Sequence, residues 1–216
     1  MTLMESPEAL SYLHGRGLST ASIDRFRLGV VGPEADAEYQ QYVGRLTIPI
    51  IKAAGIVAFK YKCIRDQCMA DKTVSPWDEH HEGHAKYLSG DSQALYNVAA
   101  LDNELGFLAM VEGEFDTMIM EQCGIPTVGL PGTSGWSKGK TAWKLLLKDF
   151  RKIYIVPDND SHMEANVGME LAERVKADLP QAEIVELPIL TPGKKSDPNL
   201  VYCAKGAEFI RGLCGL

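Results

Sequence analysis

From Leu105 onward the apolar residues come in blocks. LAMV (108–111), PTVGL (126–130), KIYIV (152–156) and AEIVEL (182–187) are short, near-continuous apolar runs, the mark of strands buried on both faces. The intervening stretches, Asp116 to Cys123, Lys138 to Phe150 and Glu164 to Leu179, are predicted as helices. In the last, Val167, Leu171, Val175 and Leu179 repeat at four-residue spacing as an apolar stripe. Ser161 with Glu164 makes a capping-box pattern ahead of it. Strand and helix in alternation imply a parallel sheet with right-handed crossovers.

The first hundred residues follow a different pattern. Two short helices open the chain: Ser6 caps the first, Pro7 takes its first position and Gly15 stops it. The second runs from Ser19 to near Phe26. Between Gly44 and Ile64 two β-rich runs meet at a turn around Ala54-Gly55, which predicts a hairpin. The polar segment from Arg65 to Ala85 reads as a loop, long enough to suggest a structural or binding role. The fold class expected is α/β: a parallel-sheet domain preceded by a smaller α+β subdomain.

Composition narrows the function classes. At 216 residues the chain can build one ample core or two small ones. A formal charge of −7 argues against a broadly basic nucleic-acid coat, without excluding a local basic groove. Five cysteines in no regular framework, with no long apolar run, read as a soluble, reduced, cytoplasmic protein that does not meet a membrane.

Acidic residues follow two of the predicted strands: Glu112 after LAMV, then Asp158 and Asp160 after KIYIV. In a parallel α/β sheet, side chains past the carboxyl ends of strands converge on one edge, where ligands bind. Two residues apart in extended chain, Asp158 and Asp160 would point the same way, roughly 6–7 Å apart. Three like charges gathered there repel unless a cation joins them, which suggests a divalent-metal site. Asp116, at the expected start of a helix, reads either as a charge favourable to the helix N-terminus or as a direct or water-mediated metal group. Cys63 and Cys68 followed by His80 and His84 superficially fit zinc spacing. Against that, Cys63 falls in a predicted strand and His81 is equally well placed. GTSGW around Gly132 lacks the spacing of a phosphate-binding P-loop and reads as a strand-to-helix turn, with Trp136 and Trp143 as packing residues.

These motifs carry a family resemblance. VEGEFD, the turn GLPGTSGW and VPDND ahead of a helix resemble the Toprim domain of DNA primases, topoisomerases and certain nucleases. Upstream, SYLHGRGLSTASIDRFRLG and GRLTIPIIKAAGIVAFKYK followed by AKYL resemble the polymerase core of bacterial and phage DnaG-type primases. The likeness is collinear over about residues 8 to 200. It implies an amino-terminal α+β subdomain over residues 1–104, a Toprim domain over 105–190, and an extension over 191–216 that completes the acidic site. It further implies that Glu112 is an acid/base or metal-organising group, that Asp158 and Asp160 are metal ligands, and that Asp116 joins the catalytic cluster. Asp197 in KKSDPN matches another family acidic position, whereas Asn199 stands where an acid is often found. Arg45, Lys62 and Lys86 fall at family basic positions and are expected to contact nucleotide phosphates or template.

The activity implied is synthesis of short RNA primers on single-stranded DNA from ribonucleoside triphosphates, with Mg²⁺ or Mn²⁺ as cofactor. No zinc-ribbon module or helical helicase-binding region is recognised, so a replicative helicase or a separate zinc-binding subunit is an expected partner. A phage or mobile-element source, acting in the host cytoplasm, is also implied. The competing readings are a Toprim nuclease cleaving phosphodiesters and a non-catalytic replisome adaptor.

Overall fold

Ser6 begins the first helix as the sequence requires. Its hydroxyl accepts from the Ala9 N–H at 3.4 Å and Pro7 takes the first position of α1 (Pro7–Gly15). Ser19 does the same for α2 (Thr20–Arg25), accepting from Ser22 N–H at 3.2 Å. Each cap satisfies a helix N–H that has no partner within the helix and is worth about 1 kcal/mol. The computed structural model describes residues 3–64, 87–89, 94–132, 135–161, 163 and 166–216. Lys86, Cys68, His80, His81, His84 and the rest of the predicted 65–85 loop lie outside them.

Contacts divide the chain into two units, residues 1–92 and 93–216. The first holds an antiparallel sheet in the order β1 (Gly29–Val30), β2 (Leu46–Lys52), β3 (Gly55–Lys62), β4 (Tyr87–Ser89). The predicted hairpin is β2–β3, linked by Ala53-Ala54, with Lys52 opposite Gly55. Gly55 has φ +111°, a conformation that side-chain-bearing residues rarely adopt. Leu46, Ile48 and Ile50 alternate inward and are buried.

The second unit is built on a four-stranded parallel sheet in the order β6-β5-β7-β8. Its strands are β5 (Phe107–Val111), β6 (Thr127–Gly129), β7 (Lys152–Ile155) and β8 (Ala182–Ile184). Helices α3 (Glu114–Gln122), α4 (Gly135–Leu147) and α5 (Val167–Asp178) connect them in turn, and α6 (Pro198–Lys205) and α7 (Ala207–Leu213) follow. This is the α/β class expected: a parallel sheet together with a smaller antiparallel one. Leu108, Met110, Val128, Ile153, Ile155, Leu171 and Val175 share one core with Trp136 and Trp143. Burying a side chain of this size contributes about 1.5–3 kcal/mol. Both tryptophans are packing residues, as expected, and Trp136 Nε1 donates to Asp178 at 3.0 Å. Ahead of β5, Tyr96 and Gly129 of β6 exchange backbone hydrogen bonds at 2.9 and 3.1 Å, and Asn97 Nδ2 donates to Thr127 O at 2.8 Å.

Predicted boundaries of α3 and α4 shift. α3 starts at Glu114 rather than Asp116, because Thr117 N–H already closes onto the Gly113 carbonyl at 3.0 Å. α4 starts at Gly135 rather than Lys138, which puts Trp136 in its first turn and in the core, and it ends at Leu147 rather than Phe150. α5 is described from Val167, with Asn166 as its cap, whose side chain accepts from Met169 N–H at 3.3 Å; Glu164, the expected start, lies outside the described residues. Ser161 is therefore not the cap; its N–H donates to Asn159 Oδ1 at 3.1 Å. Val167, at the helix start, is 40% exposed, so the buried stripe runs only through Leu171, Val175 and Leu179.

Candidate active site

The strand order puts a switch point between β5 and β7. From β5 the chain crosses through α3 to β6 on one side, then returns through α4 to β7 on the other. Ligands of open α/β sheets bind beyond the carboxyl ends of strands at such a point. Glu112 is the first residue after β5, and Asp158 lies three residues after β7. They meet there: the Asp158 N–H donates to Glu112 Oε1 at 3.3 Å. α5 closes on the same place through Gly168, where a Cβ would lie 2.7 Å from Glu112 Oε1 and would strike the Asp158 carbonyl.

Asp116, in the first turn of α3, accepts from the Asn199 N–H at 3.1 Å. Asp197 is the N-cap of α6 and accepts from Leu200 N–H at 2.8 Å. The loop carrying Asp197 is tied to the loop carrying Asp158 by an isolated bridge. In it the Asn159 N–H donates to Ser196 O at 2.7 Å and the Ser196 N–H to Asn159 O at 3.1 Å. Asn159 is buried, and its Nδ2 donates to Leu187 O at 2.7 Å. Asp160 is held through its own N–H, which donates to Asn166 Oδ1 at 3.3 Å.

Electrostatics link these carboxylates. Burial, then the neighbouring Asp158, raises Glu112 to about 7. Burial, then Asp197 and Asp158, raises Asp116 to about 8, against the hydrogen bond from Asn199 and the charge of Lys195. Asp158 is also raised, by burial first, with Lys195 opposing. Lys195 supplies the cation of the cluster: its Nζ lies 2.5 Å from Asp158 Oδ2 and 3.8 Å from Asp197 Oδ2. Burial alone would lower the pKa of its ammonium, but the hydrogen bond to Asp158 and the surrounding carboxylates raise it above the ordinary lysine value.

The structure thus gathers Glu112, Asp116, Asp158 and Asp197, with the charge of Asp160 acting on Glu112 and Asp158. Among the expected basic contacts, Arg45 is fully buried and Lys62 is 2% exposed, with its Nζ 6.0 Å from the centre of the Tyr12 ring. Neither presents its charge to solvent in this arrangement. Cys63 is buried. Lys195, Asn159, Ser196, Asn166 and Gly168 were missed by sequence reasoning. Lys195 adjoins an equally charged Lys194, and nothing in the sequence tells the two apart.

An all-oxygen, hard donor set suits Mg²⁺ or Mn²⁺ in kind, and the mutual repulsion of its carboxylates calls for a cation. Yet among the described residues no group of three or more His, Cys, Asp or Glu side chains is arranged to hold a metal ion. The Lys195 ammonium takes that role in the arrangement described.

No family model matches the sequence. The fold, however, is that of a DnaG-type primase catalytic core. Overlaid on the zinc-binding and RNA polymerase domains of the Aquifex aeolicus primase, 99% of this chain matches with a TM-score of 0.69 at 21% identity. It spans 57% of that longer chain. Overlay on a DnaG primase catalytic domain bound to single-stranded DNA gives a TM-score of 0.66 at 20% identity, covering 99% of this chain and 73% of the other. By sequence, the chain belongs to the same family as the Gene 57 protein of Mycobacterium phage D29, with 38% identity over 131 residues, 60% of this chain and 78% of the relative. Among the described residues no helix is long and apolar enough to cross a membrane.

Proposed function

We propose that this protein is a primase-type nucleotidyltransferase that makes short RNA primers on single-stranded DNA. The observation that carries the reading is the gathering of Glu112, Asp116, Asp158 and Asp197 at the switch point of a sheet with the primase-core fold. Residues 105–190 act as the Toprim domain and 191–216 contribute Asp197 to its site. Glu112, Asp158, Asp160 and Asp197 would hold Mg²⁺ or Mn²⁺. Such an ion, when bound, makes a ribose 3′-hydroxyl more acidic and offsets charge on the departing pyrophosphate. Glu112, at the end of β5 beside Asp158, is suited either to take the hydroxyl proton as that oxygen attacks the α-phosphorus of the next nucleotide or to organise the ion. Asp116 holds α6 in place through the Asn199 N–H, so its role is to position Asp197. Catalysis then rests on alignment and charge.

A relative of this fold bound to single-stranded DNA supports template as the macromolecular partner. Ribonucleoside triphosphates are the small-molecule substrates, and Arg45, Lys62 and Lys86 are assigned to phosphate or template, although Arg45 and Lys62 are buried in the arrangement described. The source of the relative, a phage, fits action in a host cytoplasm; a replicative helicase or a separate zinc-binding subunit is assigned as recruiting partner. The test is incubation with single-stranded DNA, four ribonucleotides and Mg²⁺ or Mn²⁺. New labelled RNA, lost in Glu112→Gln, is the expected result. Shortened DNA would replace this reading with a nuclease, and neither product would replace it with an adaptor.

A further inference from the structure

We propose that Lys195 is a built-in counter-ion of the acidic cluster, which a divalent cation must displace from Asp158, so that this lysine sets the metal affinity of the site. The inference rests on the reading of the cluster as a metal site.

The geometry is specific to one lysine. Lys195 Nζ reaches carboxylates from two different loops, Asp158 at 2.5 Å and Asp197 at 3.8 Å. Lys194 beside it is exposed and has no ion pair among the described residues. The two carboxylates are 13% and 11% exposed, while the Lys195 side chain is 43% exposed. The acids are fixed in the protein by caps and loops; the lysine approaches from the water side and can return there. A carboxylate so desolvated needs a partner cation. A hydrogen-bonded ammonium and a divalent ion that meet on Asp158 Oδ2 repel each other as like charges, so outward movement of Lys195 favours binding of the ion. Asn199 bears on the same balance: a neutral residue on this side of the cluster leaves one lysine charge a larger share of the compensation.

The test is Mn²⁺ titration of the full chain, with free Mn²⁺ read by electron paramagnetic resonance. Lys195→Met, which removes the competitor, should tighten Mn²⁺ binding by about tenfold, the order expected for one charge-assisted hydrogen bond. Lys194→Met makes the same change in net charge without the contact and should stay within about twofold of wild type, since exposed charges are screened. Lys195→Arg keeps a cation and should bind as wild type does. Without metal, Lys195→Met should melt below wild type, and saturating Mn²⁺ should raise its Tm by more than it raises that of wild type.

A lower Tm with unchanged Mn²⁺ affinity in Lys195→Met would make the lysine a purely structural ion pair and overturn the proposal alone. Equal tightening in Lys194→Met would do the same, by reducing the effect to net charge. No Mn²⁺ uptake by any variant, with or without nucleotide, would remove the metal-site reading and the proposal together. If Lys195→Met fails to fold, Lys195→Gln still donates a hydrogen bond without charge and is read against the same outcomes.

Discussion

Gly168→Ala tests the closeness of α5 to the acidic site through the sign of its effect. Replacing glycine by alanine stabilises a helix interior by about 0.8–1.0 kcal/mol, and by less at Gly168, the second residue of α5. Here the new Cβ would lie 2.7 Å from Glu112 Oε1 and 3.2 Å from the Asp158 carbonyl carbon, and nearer still to the carbonyl oxygen. The Glu112 side chain can turn away, but the Asp158 carbonyl is backbone, fixed by the bridge from Asn159 to Ser196. Forcing extra atoms into such a contact costs about 1–3 kcal/mol. The clash outweighs the helical gain, and we expect a net loss of about 1 kcal/mol or more, which lowers the urea midpoint by about half a molar for a chain of this size. Mn²⁺ affinity should fall as well, since Asp158 must move relative to Glu112. A midpoint equal to or above wild type would show that α5 does not press on the site, and the packing argument would fail.

Three further outcomes are expected. The folded chain keeps protons on Glu112 up to about 7 and on Asp116 up to about 8, whereas their ordinary values are 4.5 and 3.8. Between about pH 4 and 8 the native state therefore binds more protons than the unfolded chain, and the contribution of these two groups to stability falls as pH rises. Asp116→Asn should flatten that fall, read from urea midpoints at pH 5 and 8.5; an unchanged slope would contradict the assignment. Asp197→Ala removes the α6 cap and should cost about 0.5–2 kcal/mol, while Asp197→Asn, which can still cap, should cost less; equal losses in chemical denaturation would count against the capping role. Asn159→Ala leaves the Leu187 carbonyl without its donor and should cost about 1–3 kcal/mol. Hydrogen exchange should then speed up at the Ser196 amide, and unaltered exchange there would argue against a link through Asn159.

What the sequence disclosed well was anything encoded by neighbours along the chain. The Ser6-Pro7 and Ser19 starts of the first two helices, the β2–β3 hairpin and the four parallel strands each depend on residues a few positions apart. Helix starts near the site were less legible, since tertiary demands override local signals. Trp136 belongs to the core and draws α4 forward. Asn166, directly ahead of Val167, takes the α5 cap, and Ser161 stands five residues earlier. Glu112, Asp116, Asp158 and Asp197 could be named from their motifs, but the contacts that organise them join residues 46 and 83 positions apart and carry no short-range trace. Burial of Arg45 and Lys62 was equally hidden, because a charged residue beside a strand looks the same in sequence whether its end meets water or protein.

The paired hydrogen bonds between Asn159 and Ser196 use main-chain atoms that nearly every amino acid carries. A substitution leaves those main-chain atoms in place, so a change at Asn159 reaches the latch only through its lost side-chain bonds to Leu187 and Ser161, while a single inserted or deleted residue on either side would slide one loop past the other and carry an aspartate out of alignment. Over evolutionary time the site should drift in side-chain identity around the latch far more freely than in the spacing from Asp158 to Asp160 or from Lys195 to Asp197.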